Sequence, residues 1–403
     1  MSALSVINPA MGQLTGESGR AGEKLRIIQV VNVRWVNATA WYALFLSRLL
    51  REAGHQVLVL GLAGTRSFDL ARQWGLEPQA LPLNSGNPLT LFALYRRLAG
   101  LVRSFRPQVV NCHRGESFVL WGLLKKKTLR RDQALPPFAL IRTRGDRRPL
   151  KNNAVNRALH GSLADAVIAT NSEIARSLEH EAGVPPAKIH TILGGVDENV
   201  FYPDQEAGRA VRASLGYTER DFVVGLLGRL DQVKGHAVLI RALREVKAAR
   251  SAAFNFKLLC IGADSALGAA DIEAMLAREG LAGAGLVTGR VENVRAHINA
   301  LNLGVLASVG SEAIARAALE IMACDVPLLS SDIGVMPDLL PRGLLLPAGD
   351  AGALALALER YGRDRDALEA LRRAGAARIV SLKSGALLRQ TLGVYRDCLA
   401  RLP

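Results

Sequence analysis

Between residues 25 and 61 the chain passes through an apolar run, a capped helical stretch and a second apolar run, and this order narrows the fold more than any other feature. The first run, Leu25-Arg-Ile-Ile-Gln-Val-Val, is β-branched and suits a strand buried on both faces. Asn37 or Thr39 can cap the helix that follows, which continues through Leu50 until Gly54 ends it. His55-Gln-Val-Leu-Val-Leu-Gly reads as the second strand. Strand, helix and strand in immediate succession open a parallel α/β sheet, whose ligands bind at the carboxyl ends of its strands.

The pattern recurs. Residues 107–113, 137–146 and 164–172 read as later strands of the same sheet, while 221–227, 256–262, 286–291, 302–308 and 326–330 read as a second set. A length of 403 residues makes two domains the natural division. The expected boundaries are a loose tail over 1–23, a first domain over 24–196 and a second over 197–384, with a link at Gly194-Gly195. The last segment, Leu387 to Leu402 within about 385–403, is amphipathic.

With 49% hydrophobic and 22% charged residues the composition is that of a globular chain rather than a disordered one. No uninterrupted apolar run approaches the roughly 18 residues that a spanning helix needs. The first 23 residues lack the apolar core of a signal peptide. Cys112, Cys260, Cys324 and Cys398 are scattered among apolar neighbours, which suits reduced thiols in the cytoplasm; no metal site is expected.

The net charge of +15 is uneven: residues 1–200 carry 26 basic and 14 acidic side chains, residues 201–403 carry 25 and 22. The excess gathers at Lys125, Lys126, Lys127, Arg130, Arg131, Arg142, Arg144, Arg147 and Arg148. Such a cluster implies an anionic partner, whether a membrane surface, an acidic or phosphorylated glycan, or nucleic acid. A solvated face without a specific partner is the plainer alternative. Few aromatics accompany the basic residues, so there is little stacking surface for nucleic acid, and none is expected as a partner.

Two stretches carry chemistry. Residues 310–332 read GSEAIARAALEIMACDVPLLSSD, with Glu312 and Glu320 eight positions apart and the second embedded in good helix formers. Ser311 is the expected helix cap. Eight helical steps advance about 12 Å. That is the reach of a sugar–diphosphate–ribose, and a helix N-terminus lying between its ends favours the diphosphate. Two glutamates at this spacing also suit a solvated helix face, but an unpaired carboxylate among apolar residues is costly. The second stretch is the loop Gly228-Arg-Leu-Asp-Gln-Val-Lys-Gly-His, where Arg229 and Lys234 stand beside a helix start as a diphosphate leaving group requires. It lacks the Walker spacing of a P-loop.

These stretches resemble the retaining glycosyltransferases of family four, which have the GT-B fold: α/β, two Rossmann-like domains facing across a cleft. Ser311, Glu312, Ala318, Leu319, Glu320, Met322, Ala323 and Pro327 match the family pattern S-E-G-F-G, then A-L-E-A-M-A-x-G-x-P-V. Ala313-Ile314-Ala315 stands where the family has Gly-Phe-Gly, and Asp325 where it has the later Gly. The loop G-R-L-D-x-x-K-G-H matches closely, and residues 107–113, 164–172, 194–203 and 332–338 match less closely. The family's paired glycines after the first strand are absent from Val33 to Ala38. The family's T-x-H-G reads Thr143-Arg144-Gly145, which exchanges a histidine facing the reaction centre for an arginine that cannot act as a base.

The resemblance implies that Arg229, Lys234 and Glu312 are catalytic. It implies a nucleotide-sugar donor bound by Arg290, Val291, Ile314, Ala315, Arg316 and Glu320, with Glu312 on the sugar and Glu320 on the ribose. An anionic glycan or lipid-linked acceptor would meet His113, Arg144 and Asp146, with peripheral contact to an anionic membrane. No cofactor beyond the nucleotide-sugar co-substrate is implied. The final segment would cross back onto the first domain, and Gly194 would serve as a hinge. Assembly of bacterial surface polysaccharide or lipopolysaccharide would be the setting. A nucleotide-sugar epimerase of the same plan and a basic nucleic-acid-binding protein are the competing readings.

Overall fold

The computed structural model describes residues 23–128, 135–146, 148, 150–249, 255–310 and 312–402. The expected tail over 1–22 lies outside the described residues. Two parallel sheets organise the chain. The first holds β1 (Arg26–Val31), β2 (Gln56–Gly61), β3 (Gln79–Ala80), β4 (Val109–Cys112), β5 (Ala139–Arg144), β6 (Ala166–Ala169) and β7 (Ile189–Thr191), in the order β3-β2-β1-β4-β5-β6-β7. The second holds β8 (Asp221–Leu227), β9 (Asn255–Ile261), β10 (Gly285–Val287), β11 (Leu303–Leu306), β12 (Leu328–Ser331) and β13 (Leu345–Leu346), in the order β10-β9-β8-β11-β12-β13. In each sheet the order of strand addition reverses beside the first strand, between β1 and β4 and between β8 and β11, which pair parallel. Those switch points are where an open α/β sheet leaves a crevice.

Every apolar run read as a strand forms one, within four residues at either end. The short edge strands β3, β7 and β13 escape sequence reading because two or three residues carry no period. Asn37 caps the helix Ala38–Glu52 by accepting from the Ala40 N–H.

The helix Ser384–Ala400 packs on the first sheet: Leu387, Val394, Tyr395 and Cys398 join Ile27, Val109 and Ile141 in one core. A buried polar network fixes its register. The Tyr395 hydroxyl accepts from Gln29 Nε2 (3.1 Å) and Asn111 Nδ2 (2.9 Å), and Thr143 Oγ1 donates to Asn111 Oδ1 (2.9 Å). Each such bond adds only about 1 kcal/mol net. An orphaned member in this core would cost more, so the network specifies which helix face meets the sheet.

The two interdomain links run side by side, the Val196 N–H donating to Leu382 O at 2.9 Å. Gly194, expected as a hinge, is also a packing contact. A Cβ on it would lie 2.6 Å from Ile314 Cγ2, so the residue is small because the second domain packs against it.

Candidate functional site

A cleft of about 740 Å³ lies between the two sheets, lined by both domains. On the second-domain wall the chain leaves β8 at Gly228 and makes one tight turn, Gln232–Lys234, capped by Asp231 Oδ1 accepting from the Val233 N–H. Gly235 closes the turn at φ +76 and lies so near the next strand that a Cβ would sit 1.8 Å from Ala307 O. Only glycine can both turn and pack here. The result directs Lys234 into the cleft, where Nζ donates to Glu312 Oε1 at 2.5 Å. Ser308 Oγ donates to the same oxygen at 2.6 Å. Glu312 is 5% exposed, so both donors offset the cost of burying its charge. Arg229 stands at the rim with 64% of its side chain exposed, steadied by Ser265 Oγ at 3.3 Å and Asp231 at 3.6 Å.

Glu312 does not lie on a helix with Glu320. The helix spans Arg316–Ala323 and begins after Ala315, whose left-handed backbone (φ 49) is its N-cap. The expected cap Ser311 lies outside the described residues, and the helix starts too late for it to serve. The 12 Å helical spacing therefore does not apply, although the helix N-terminus still falls between the two carboxylates. The peptide of Glu312 is held instead by the turn at Gly334. The Val335 N–H donates to Glu312 O at 2.8 Å, and a Cβ on Gly334 (φ +60) would lie 2.2 Å from that oxygen.

Glu320 is buried on the helix and pairs with Arg316 Nε at 2.8 Å. Burial raises its carboxyl pKa above the ordinary value, and the Arg316 charge opposes that shift. The Arg316 guanidinium lies over the Trp41 ring of the first domain, 5.5 Å from its centroid. Arg229, Lys234, Arg290, Val291, Glu312, Ile314, Ala315, Arg316 and Glu320 thus all line one cleft, with Asp146 across from them. Ile314 is also buried in the core shared with the first domain, so its side chain acts in packing.

The first-domain residues are arranged differently from the sequence reading. His113 does not line the cleft. It is buried with Nε2 facing Gln29 Oε1 at 2.8 Å, and burial together with the Arg142 charge pushes its pKa down to about 3. Arg144 stands behind the cleft in an adjoining cavity, while Asp146 belongs to both. The basic cluster is not one exposed patch. Lys125 is buried, donating to Phe138 O and pairing with Asp165 at 2.8 Å; Arg142 is buried and donates to Cys112 O at 2.8 Å. Arg130, Arg131 and Arg147 lie outside the described residues.

Several residues at the site had no signal as such. Ser308 and Ser265 are unremarkable strand-end serines in the sequence. Trp41 sits among the apolar residues of a helix. The seam between the domains is also new: Asn171 Nδ2 and Thr170 Oγ1 both donate to Ala313 O (2.8 and 3.3 Å), and the Ser172 N–H donates to Asp338 Oδ2 at 2.8 Å. These contacts link the cleft-lining Ala313 and the helix Met336–Leu339 of one domain to the end of β6 in the other. Among the described residues, no three of His, Cys, Asp and Glu converge as a metal-ligand set, and no helix is long and apolar enough to cross a membrane.

Comparison with known proteins follows the same two-part division. The model of "Glycosyltransferase Family 4" matches residues 39–200, and that of "Glycosyl transferases group 1" matches residues 221–364. An α-maltose-1-phosphate synthase of Mycolicibacterium smegmatis is 30% identical over 250 residues, which are 58% of this chain and 63% of that protein. A D-inositol 3-phosphate glycosyltransferase of Rhodococcus erythropolis is 27% identical over 199 residues, 47% of this chain and 42% of that protein. The chain thus spans less than two thirds of either relative. Among solved structures, Anabaena HepE in complex with UDP and glucose superposes with a TM-score of 0.75 at 18% identity, covering 93% of this chain and all of that one.

Proposed function

We propose that this chain, which belongs to the GT-B glycosyltransferases of family four, transfers a glycosyl unit from a nucleotide-sugar donor to a hydroxyl of an acceptor, with retained anomeric configuration and without a metal ion. The observation that carries this reading is the convergence of Arg229, Lys234, Glu312 and Glu320 on one cleft between the domains. Two fixed cations beside the helix Arg316–Ala323 suit the diphosphate of a sugar nucleotide. Its charge grows as the bond from the anomeric carbon to phosphate oxygen breaks. Lys234 and Arg229 meet that charge, in the role a metal ion has elsewhere. Glu312, held by Lys234 and Ser308, orients the sugar; Glu320 takes the ribose hydroxyls.

The new bond forms from the acceptor oxygen to the anomeric carbon on the face the phosphate leaves. The departing phosphate oxygen accepts the acceptor's proton, so no side chain has to act as base. That accords with a His113 buried away from the cleft and with an arginine, Arg144, standing where the family pattern has a histidine. The enzyme's contribution is then positioning and charge stabilisation. UDP and glucose bound to the HepE structure support a nucleotide-sugar donor.

The acceptor is read as an anionic glycan or lipid-linked molecule, used in assembly of bacterial surface polysaccharide or lipopolysaccharide on the cytoplasmic face of the membrane. The names of both relatives include a phosphorylated sugar or cyclitol, which favours an anionic partner. Screening nucleotide sugars for thermal stabilisation and slow hydrolysis tests the donor. NMR of the product's anomeric centre tests retention, and undiminished turnover in EDTA is expected. Conversion of the donor with no acceptor present would point to an epimerase instead.

A further inference from the structure

Beside the cleft, on the first domain, opens a second cavity of about 450 Å³ that shares Asp146 and Arg148 with it. Its base is the end of β5, where Arg144 stands 6% exposed. Arg144 Nη2 donates to Asp146 Oδ1 at 3.2 Å and to Arg148 O. Its Nε is buried and has no hydrogen-bond partner among the described residues. A guanidinium N–H withdrawn from water without an acceptor is costly unless a ligand supplies one. The facing wall is the helical stretch after β6, which contributes Arg176 and His180, both exposed, and Glu173 and Glu181.

The lining is mixed in sign. Arg144, Arg148 and Arg176 are set against Asp146, Glu173 and Glu181, and Glu181 accepts from Ser177 Oγ at 3.0 Å. A polyanion or an anionic membrane surface would meet as much repulsion as attraction there. A polyol bearing one anionic group fits better, because arginine forks hold phosphate or carboxylate while carboxylates accept from hydroxyls. The cations that suit the donor diphosphate belong to the other domain, so the two anions stay apart.

We propose that this cavity binds the acceptor, a hydroxylated molecule with a single phosphate or carboxylate held by Arg144, Arg148 and Arg176, its hydroxyls directed past Asp146 to the cleft. As the identity of an acceptor, this rests on the glycosyl-transfer reading above; as a binding site, it does not. The test is binding of glucose 1-phosphate and myo-inositol 1-phosphate to the full chain, read by ³¹P line broadening and by competition. Glucose and inositol serve as uncharged controls, and UDP binding is measured in parallel.

The monophosphates should bind where the uncharged polyols do not. Arg176→Ala should weaken them about tenfold, the loss of one charge-assisted hydrogen bond, with UDP binding unchanged. Arg176 is exposed, so its variant leaves the core intact; Arg144→Lys, which keeps the charge and loses the fork, should weaken binding as well. Absent binding of both monophosphates, equal binding of the uncharged polyols, or unchanged affinity in both variants would overturn the proposal. Monophosphate binding that responds to these variants in a chain that ignores UDP would uphold the cavity and remove the transferase reading.

Discussion

On the second-domain wall of the cleft, Arg229, Lys234 and Glu312 sit on short loops whose turns are set by residues close in sequence, while Lys234 and Glu312 themselves meet across 78 positions. Asp231 caps the turn that aims Lys234, Gly235 ends it, and Ser308 lies four residues before the carboxylate it binds. On the first-domain wall, Arg144 depends on Arg148 for one contact but meets residues 173–181 only because β5 and β6 are adjacent. The turns of the second-domain wall can be read as a string. The first-domain wall is a product of sheet order. A wall specified by local strings suits a constant task such as stabilising a diphosphate, whereas a wall assembled from separate segments can change its ligand by changing single side chains.

The largest effect that would test this contrast lies on the second-domain wall. Lys234→Ala should lower transfer by about 10²–10³-fold, the scale of losing one preorganised charge partner in a dry site, with circular dichroism unchanged. Near-normal turnover would mean that the diphosphate is stabilised elsewhere. Arg229→Ala should also impair turnover strongly, although its exposure makes a smaller loss the expected outcome.

The first domain should be the acid-sensitive one. His113 and His160 are held neutral by burial down to about 3 and about 4, while the unfolded chain protonates near the ordinary histidine value. Each folded-state pKa is depressed, so the stability due to the neutral ring is complete above about 6.5 and falls as pH drops, at about 1.4 kcal/mol per unit per histidine. Urea unfolding at pH 7 and pH 5 should show the loss, and His113→Gln should reduce it. An unchanged slope in that variant would assign the acid sensitivity to other groups.

The seam between the walls should respond next. Gly194→Ala pushes a Cβ against the branched Ile314 side chain and should cost about 1–3 kcal/mol, read as a lower melting temperature. An increase in stability would instead mean that the glycine's flexibility mattered more than its size. The smallest expected effect is a gain. Ala315 occupies the left-handed region, so Ala315→Gly should stabilise the chain by about 0.5–1 kcal/mol.

Ala315 and Asp325 also show how far the sequence could be read. Both stand where the family pattern has glycine. Both nevertheless keep left-handed conformations, φ 49 and φ 61, and Asp325 is further held by Arg372. The backbone path was retained while the residue changed, because surrounding packing fixed it. Glu312 was placed on one helix with Glu320, since a run of helix formers gives no sign that the helix waits for residue 316. The charge count misled in a similar way: Lys125 and Arg142 add to a basic stretch on paper and are internal hydrogen-bond donors in the fold.

The sequence alone determined the two parallel sheets and the cationic loop. Apolar strand runs and capping residues act over a few residues, and their physical demands do not depend on the rest of the chain. Tertiary structure alone decided that Arg316 would span from Glu320 to Trp41, that His113 would be enclosed, and that Arg144 would face residues 173–181 across a cavity. Those pairings join segments distant in sequence. Their burial and charge balance exist only after β5 lies beside β6 and the second domain closes on the first.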